Sequence, residues 1–180
     1  EILSAFENLP TDKVIILPNN KNIILAAQAA RDVTVKKVQI VPSRTIPQGL
    51  AAMMHLNPEG DVEAIAAKMT RALDDVTTGE ITIATRSVEI DGVAVEKGQV
   101  IALMNGSLVL SAASVEQACL GLLEKANAAD YELITLFYAE DLASTEANRI
   151  VDLIRAAYPS QEIELQYGGQ PHYQFIISVE

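Results

Sequence analysis

Two polar segments contain the side chains of this sequence that are best suited to binding a ligand. The first, after the apolar run 13–17, contains Asn19, Asn20, Lys21 and Asn22. The second, after the predicted strand 33–41, contains Ser43, Arg44, Thr45 and Gln48. Each lies between a predicted strand and a predicted helix, where open α/β sheets place binding sites. Lys21 and Arg44 supply positive charge, and the exposed N–H groups of a helix start add to it, so an anionic or carbonyl-bearing ligand fits the pattern. Pro and Asn also mark ordinary turns and caps, so a structural role fits as well.

A third segment of interest joins the last two predicted strands. It contains Gly168, Gly169 and Gln170, and it is followed by Pro171 and His172. A Gly-Gly pair can turn its amides toward an anion, but it also forms tight hairpins, and the hairpin is the favoured interpretation. His172 is the better candidate for a functional histidine, because His55 lies near a predicted helix end. We expect the three segments to face one crevice that contacts a partner or holds a small anion.

Motifs for catalysis are missing from the sequence. It has no G-x-G-x-x-G, no P-loop lysine motif and no G-x-S-x-G, so it lacks the usual equipment for nucleotide binding and serine hydrolysis. The two histidines and the single Cys119 form no pattern typical of a metal site. Glu140 and Asp141 precede a predicted helix, where acidic residues more often act as capping groups than as an acid–base pair. We therefore predict no catalytic residues, no metal and no cofactor in this chain.

The elements that position these segments follow from the hydrophobic periodicity. The first part has a β-α-β-α-α pattern, with strands over 13–17 and 33–41 and helices over 22–31, 48–55 and 61–76. The middle predicts two hairpins, turning at Asp91-Gly92 and Asn105-Gly106. The last part predicts a helix after Ser114, strands over 132–138, 162–167 and 173–179, and a helix over 144–158. The sequence thus divides into an α/β lobe over 1–78, a β-hairpin region over 79–113, and an α/β lobe over 114–180 that completes the same domain.

Composition limits the classes of function. The 180 residues are 49% hydrophobic, enough for a proper core, and 24 acidic against 13 basic residues give a net charge of −11. That charge argues against binding to nucleic acid or anionic lipid. No apolar run approaches the ~18 residues of a membrane span, and we expect a cytoplasmic protein without disulfides. Cys119 lies on an apolar helical stripe and is expected in the core. Because the first residue is Glu1, we expect the chain to be a fragment of a longer protein.

The motifs taken together resemble a known family. Leu17-Pro18-Asn19-Asn20-Lys21-Asn22-Ile23, the segment 41–49, the Asp91-Gly92 hairpin, and Tyr167-Gly168-Gly169-Gln170-Pro171 with the ending 176–180 occur in order over the whole chain. In this respect the sequence resembles the C-terminal domain of the catalytic component of bacterial fatty acid kinase, which is one of the dihydroxyacetone-kinase-like proteins. The resemblance implies a two-lobed α/β fold similar to that of DegV-type proteins.

The resemblance also implies a division of labour. In that family an N-terminal kinase domain holds ATP and magnesium, and the C-terminal domain binds a separate fatty-acid-binding protein of the DegV type, whose acyl carboxylate is converted to acyl phosphate. This chain would be the docking part alone, and the N-terminal kinase domain would be its second partner. A homodimer is possible, and the oligomeric state is left open. Two alternatives remain: a lipid- or small-anion-binding module with its own pocket, and an independent hydrolase or transferase.

Overall fold

The computed structural model describes residues 1–90 and 92–180, and these form two compact units, Glu1–Val76 (unit 1) and Thr77–Glu180 (unit 2). Unit 1 contains a two-stranded parallel sheet of β1 (Lys13–Ile16) and β2 (Lys37–Ile40), in which Lys13 pairs with Lys37. Its helices are α1 (Ile2–Glu7), α2 (Ile24–Arg31), α3 (Ile46–Met53) and α4 (Val62–Arg71), the last continued by a 3₁₀ helix over Ala72–Asp75.

Successive residues of β1 lie on opposite faces of the sheet, and this divides the core of unit 1 into two clusters. Val14 packs on one side with Phe6, Ala30 and Val38, which come from α1, α2 and β2. Ile15 and Leu17 pack on the other side, against α3, α4 and the 3₁₀ helix, in a cluster of Val41, Ala52, Ile65, Ala66, Met69 and Leu73. Successive strand residues point to opposite faces, so this short sheet is covered by helices on both faces, as parallel sheets usually are.

Unit 2 is built on a mixed six-stranded sheet. The strands are β3 (Thr77–Ile83), β6 (Val100–Met104), β7 (Ser107–Ala112), β8 (Leu133–Tyr138), β9 (Glu162–Tyr167) and β10 (Tyr173–Val179), and a separate ribbon is made of β4 (Val88–Ile90) and β5 (Val93–Val95). The strand order is β7-β6-β3-β10-β8-β9, and only β8 and β9 run parallel to each other. Within residues 79–113, β6, β7 and most of β3 therefore belong to the same sheet as the later strands, whereas β4 and β5 do not.

The core of unit 2 lies between this sheet and its two helices, α5 (Val115–Lys125) and α6 (Ser144–Ala157). Cys119, Leu122, Ile150 and Ile154 project from the helices and are at most 1% exposed, and Phe175 from β10 is fully buried. Ser114 caps α5, because its hydroxyl accepts a hydrogen bond from the Gln117 N–H at 3.4 Å. The predicted burial of Cys119 is confirmed.

Several predicted elements have the expected place but different limits. The strand predicted over 33–41 begins only at Lys37, whose N–H donates to the Asp12 carbonyl. The pairing of β1 with β2 begins at Lys13 and Lys37, so residues 33–36 have no partner in β1, and Val35 is fully exposed. The helix predicted over 61–76 ends at Arg71 before the 3₁₀ turn. Helix α1 was not predicted. The Asn105-Gly106 hairpin is confirmed, with φ of 52° and 83°. β4 and β5 pair as predicted, although Asp91 lies outside the described residues.

Candidate functional site

The first two polar segments meet in unit 1 through a hydrogen-bonded pair, Asn19 and Ser43. The Ser43 hydroxyl donates to Asn19 Oδ1 at 2.7 Å and accepts from the Asn19 N–H at 3.1 Å. Ser43 is completely buried, and Asn19 has a left-handed backbone with φ of 52°. Gly49 makes room for this contact, because a Cβ there would run into the Asn19 side chain. The Ser43 hydroxyl is thus used within the chain as donor and as acceptor, and the pair joins the two strand ends.

Thr45 and Gln48 are also engaged in holding their own turn. The Thr45 hydroxyl caps α3 by accepting from the Gln48 N–H at 3.3 Å. The Gln48 side chain accepts from the Arg44 N–H at 2.9 Å and donates to the Leu73 carbonyl at 3.1 Å. This amide therefore ties the start of α3 to the 3₁₀ helix after α4. The polar composition of this segment follows from the requirements of the turn.

Charged and amide side chains at the same strand ends remain exposed. Asn20 forms a local turn in which its Oδ1 accepts from the Asn22 N–H at 2.9 Å. Lys21 and Arg44 are exposed, and within 1–90 and 92–180 their cationic groups make neither a hydrogen bond nor an ion pair. These two cations can therefore still interact with an anionic group outside the chain.

The Gly168–His172 segment is not a hairpin, so the favoured interpretation of its sequence was wrong, whereas the binding of an anion there stays a prediction. β8 lies between β9 and β10, and the segment therefore crosses over β8 instead of pairing its flanking strands. The amides of Gly168 and Gly169 both donate to the Tyr138 carbonyl, at 3.0 and 3.2 Å. An anion would have to compete with that carbonyl for the same donors.

Further contacts fix this crossover. The Gln170 side chain donates to the carbonyls of Phe137 and Tyr173, at 2.9 and 3.2 Å, and the His172 carbonyl accepts from the Thr82 hydroxyl at 2.6 Å. His172 is exposed, with φ of 70°. Because the crossover belongs to unit 2 and the other two turns belong to unit 1, the common crevice of all three stays a prediction.

In the described part of the chain, no group of three or more His, Cys, Asp or Glu residues is arranged to hold a metal ion. Burial raises the pKa of Cys119 to about 12, with Glu116 adding to the effect, so the reactive thiolate form is disfavoured in the folded chain. Burial also raises the pKa of Glu80 on β3. Among the described helices, none has both the length and the apolar character to cross a membrane.

An exposed apolar surface on α3 is the feature that sequence reasoning missed. Ile46, Leu50, Met53 and Met54, here called the α3 face, are spaced to fall on one side of the helix and are 49%, 48%, 47% and 85% exposed. The helix was predicted over 48–55, but periodicity does not distinguish a stripe that packs in the core from one that packs on a partner. Contiguous exposed apolar surface on a folded domain marks an interaction site more often than single exposed residues do.

A cavity opens beside this surface. It has a volume of about 390 Å³, and its apolar lining includes Ile15, Leu17, Met53, Leu56, Ile65 and Met69. We call it the unit-1 cavity. Met53 belongs to both the cavity wall and the α3 face, and Leu56 at the rim is 40% exposed, so cavity and face form one continuous apolar surface.

Comparison with known proteins gives agreement over the full length. The family model for FakA-like C-terminal domains of fatty acid kinase matches residues 1–180. The protein YloV of Bacillus subtilis is 34% identical over 180 residues, covering 100% of this chain and 32% of YloV. An uncharacterized protein of Staphylococcus epidermidis is 35% identical over 180 residues, again covering 100% of this chain and 33% of the relative. The chain therefore spans about a third of the length of these relatives.

Solved structures with the same fold are DegV family and fatty acid kinase B proteins. The Streptococcus pneumoniae fatty acid kinase B3 protein loaded with linoleic acid has a TM-score of 0.65 at 11% identity, covering 99% of this chain and 74% of that chain. A DegV family protein from Eubacterium eligens loaded with heptadecanoic acid has a TM-score of 0.67 at 16% identity, covering 99% and 76%. At such identities the likeness concerns the fold alone, and it confirms the predicted two-lobed DegV-like α/β arrangement.

Proposed function

Because the chain belongs to the FakA-like C-terminal family of fatty acid kinase proteins, we propose that it is a partner-docking domain that binds a fatty-acid-loaded DegV-type protein. Docking would present the acyl carboxylate of that partner to a kinase domain of the same parent protein, which would hold ATP and magnesium and form acyl phosphate. In this proposal the present chain supplies recognition, and the rest of the parent protein supplies the chemistry.

The observation that carries the proposal is the α3 face. Its four side chains are long and apolar, and Met54 is 85% exposed. Burial of such a surface is worth about 25 cal/mol per Å² of apolar area, and Met side chains adapt to the shape of a partner. The predicted polar residues Ser43, Thr45 and Gln48 support docking over catalysis, since they are already bonded within their own turns.

Lys21 and Arg44 add an electrostatic component. Both follow the strand ends from which α2 and α3 start, and their charges are free to meet an anionic group on the partner. Exposed charges at the border of an interface contribute mainly to the association rate and its salt dependence. Their joint replacement by alanine is therefore expected to slow association at low salt more than at high salt.

Calorimetric titration of the chain with an oleate-loaded DegV-type protein from the same organism tests the proposal. We expect binding by the unmodified chain and at least tenfold weaker binding for Leu50→Ser and Met54→Ser, since a few buried apolar residues carry most of the energy of an interface. Val35→Ser is the matched control, because Val35 is 100% exposed in unit 1 but lies outside α3. Absence of binding by the unmodified chain, or equal losses for all three variants, would overturn the proposal.

A further inference from the structure

The unit 2 sheet ends at β9, and the backbone of this edge strand is open to further pairing. At the start of its parallel ladder with β8, the Glu162 N–H donates to the Glu132 carbonyl at 2.8 Å. Because alternate residues of a strand bond to the same neighbour, the even-numbered residues of β9 bond to β8. The odd-numbered residues direct their N–H and C=O groups away from the sheet, and these are Ile163, Leu165 and Tyr167.

Within 1–90 and 92–180, only one of these outward backbone groups has a hydrogen-bond partner. The Ile163 carbonyl accepts from Arg155 at 3.4 Å, and Arg155 is also paired with Asp152 at 3.0 Å. β9 keeps one register over six residues and contains no proline or lysine, which commonly block pairing at a sheet edge. At the opposite edge, the Ser111 hydroxyl of β7 donates to the Ala94 carbonyl of β5 at 3.0 Å. β9 is therefore the edge at which a strand can be added.

The side chains of β9 form an acidic row on one face and an apolar row on the other. Glu162 and Glu164 are exposed, and in the described part of the chain neither carboxylate takes part in an ion pair. Ile163 and Leu165 are half-buried against the core of unit 2, and Tyr167 is 65% exposed. A strand paired with β9 would extend both rows.

We propose that β9 is a docking edge for an extended, positively charged segment of another protein, which adds to the six-stranded sheet as a further strand. Side chains directly opposite each other on paired strands interact, so Lys or Arg at every second position would meet Glu162 and Glu164. Apolar residues between them would continue the apolar row. In this mode of recognition the main-chain bonds supply affinity and the alternate side chains supply specificity.

Charge favours this occupant over a second copy of the chain. Two β9 strands paired with each other would bring four carboxylates together, because each strand contributes Glu162 and Glu164, and like charges across strands are destabilising. Arg155 does not offset them, since its charge is already matched by Asp152. The net charge of −11 adds to the repulsion between copies. The edge belongs to unit 2 and the α3 face to unit 1, so binding at the edge does not depend on the proposed docking function.

Titration with the acetylated and amidated peptide Lys-Val-Lys-Val-Lys-Val-Lys tests the edge. We expect binding that weakens with salt and that is about tenfold weaker for the double variant Glu162→Gln/Glu164→Gln. Glu89→Gln/Glu96→Gln is the matched control, because it removes two exposed charges from the β4–β5 ribbon and the turn after it and should bind like the unmodified chain. The same peptide with every backbone nitrogen methylated keeps its charges and lacks main-chain donors, so it should not bind.

Amide hydrogen exchange measured by NMR locates the bound peptide. In the free chain the outward N–H groups of Ile163, Leu165 and Tyr167 should exchange rapidly, whereas those of Glu164 and Gln166, which bond to β8, should exchange slowly. Addition of the peptide should slow the exchange of the outward set alone. This alternation is expected from strand addition and not from diffuse attraction to an acidic surface.

Several outcomes would overturn the docking edge. They are failure of the peptide to bind, equal binding of the methylated peptide, and equal losses in the edge variant and its control. Binding that leaves the exchange of Leu165 unchanged would place the peptide elsewhere on the acidic surface. A homodimer in sedimentation whose Leu165 amide is already protected would assign the edge to a second copy. Leu50→Ser should leave peptide binding unchanged, and a loss there would place the peptide on the α3 face.

Discussion

The pair formed by Asn19 and Ser43 leads to a prediction that separates a structural role from a ligand-binding role. Ser43→Ala removes the hydroxyl that accepts from the Asn19 N–H at 3.1 Å and donates to Asn19 Oδ1 at 2.7 Å. Each such bond contributes about 0.5–1.5 kcal/mol net. Because Ser43 is 0% exposed, water has no access from its side to replace the lost partner. We expect the free energy of unfolding of unit 1 to fall by about 2 kcal/mol, a change of roughly 30-fold in the unfolding equilibrium.

Urea unfolding followed by circular dichroism measures this loss. With an m value of about 1–2 kcal/mol/M for a unit of this size, the midpoint should fall by about 1–2 M. In Asn19→Gly the glycine adopts the left-handed backbone easily and keeps the bond from its N–H to Ser43. This variant should therefore lower the free energy of unfolding by about 1 kcal/mol, roughly half the loss expected for Ser43→Ala. Ser4→Ala, at an exposed position of α1, is the matched control and should stay within about 0.5 kcal/mol of the unmodified chain.

One pattern of results would show that Ser43 acts in binding and not in stability. If Ser43→Ala keeps the midpoint of Ser4→Ala and yet abolishes binding of an anion or of the partner, then the Ser43 hydroxyl is a ligand-binding group and its bonds to Asn19 are dispensable. A loss of stability with an unchanged affinity per folded molecule supports the structural role.

Three further predictions concern unit 2. Burial raises the pKa of Glu80, so the contribution of this carboxyl group to stability is fully present below its unfolded pKa and is lost as pH rises through its folded pKa. Glu80→Gln should therefore raise the melting temperature at pH 7.5 and leave it unchanged near pH 4. Equal shifts of the melting temperature at both pH values would contradict this. Cys119, with a pKa raised to about 12, should react with a maleimide at pH 7.5 only after unfolding, as mass spectrometry with and without urea would show. Gly79→Ala should destabilise unit 2 by about 1–3 kcal/mol in urea unfolding, because its Cβ would clash with Leu122; a loss below about 0.5 kcal/mol would show that Leu122 moves freely.

Much of the fold was predictable because strand and helix periods are local properties. The limits of the strands 162–167 and 173–179 were predicted correctly, since turn residues precede both segments. The strand beginning at 33 was predicted too long, because Val33 and Val35 have β-forming side chains and yet no neighbouring strand to pair with. Pairing is a tertiary property, and the hairpin expected at Gly168-Gly169 failed for the same reason.

The candidate site was predictable in position more than in role. Asn19 and Ser43 were placed correctly at two strand ends, but an amide and a hydroxyl that bond to each other are the same residue types as those that bind a ligand. The α3 face escaped prediction because Leu50 and Met54 have the periodicity of a core stripe. Exposure distinguishes the two cases, and exposure depends on the packing of the whole unit.

The position of β10 between β3 and β8 bears on how the protein is made. β3 pairs with β10 through Val179↔Thr77, and β8 pairs with it through Val179↔Ile134, so β10 alone joins the two halves of the sheet. Unit 1 can fold as its residues leave the ribosome, whereas unit 2 must wait until translation has passed Val179, which at about 5–20 residues per second takes several seconds more. Throughout that interval β3 and β8 have open edges that other nascent chains can join. A nonsense mutation or proteolytic cut before Tyr173 should therefore yield aggregated protein with an intact unit 1, and chaperones would be needed most before β10 has been synthesised.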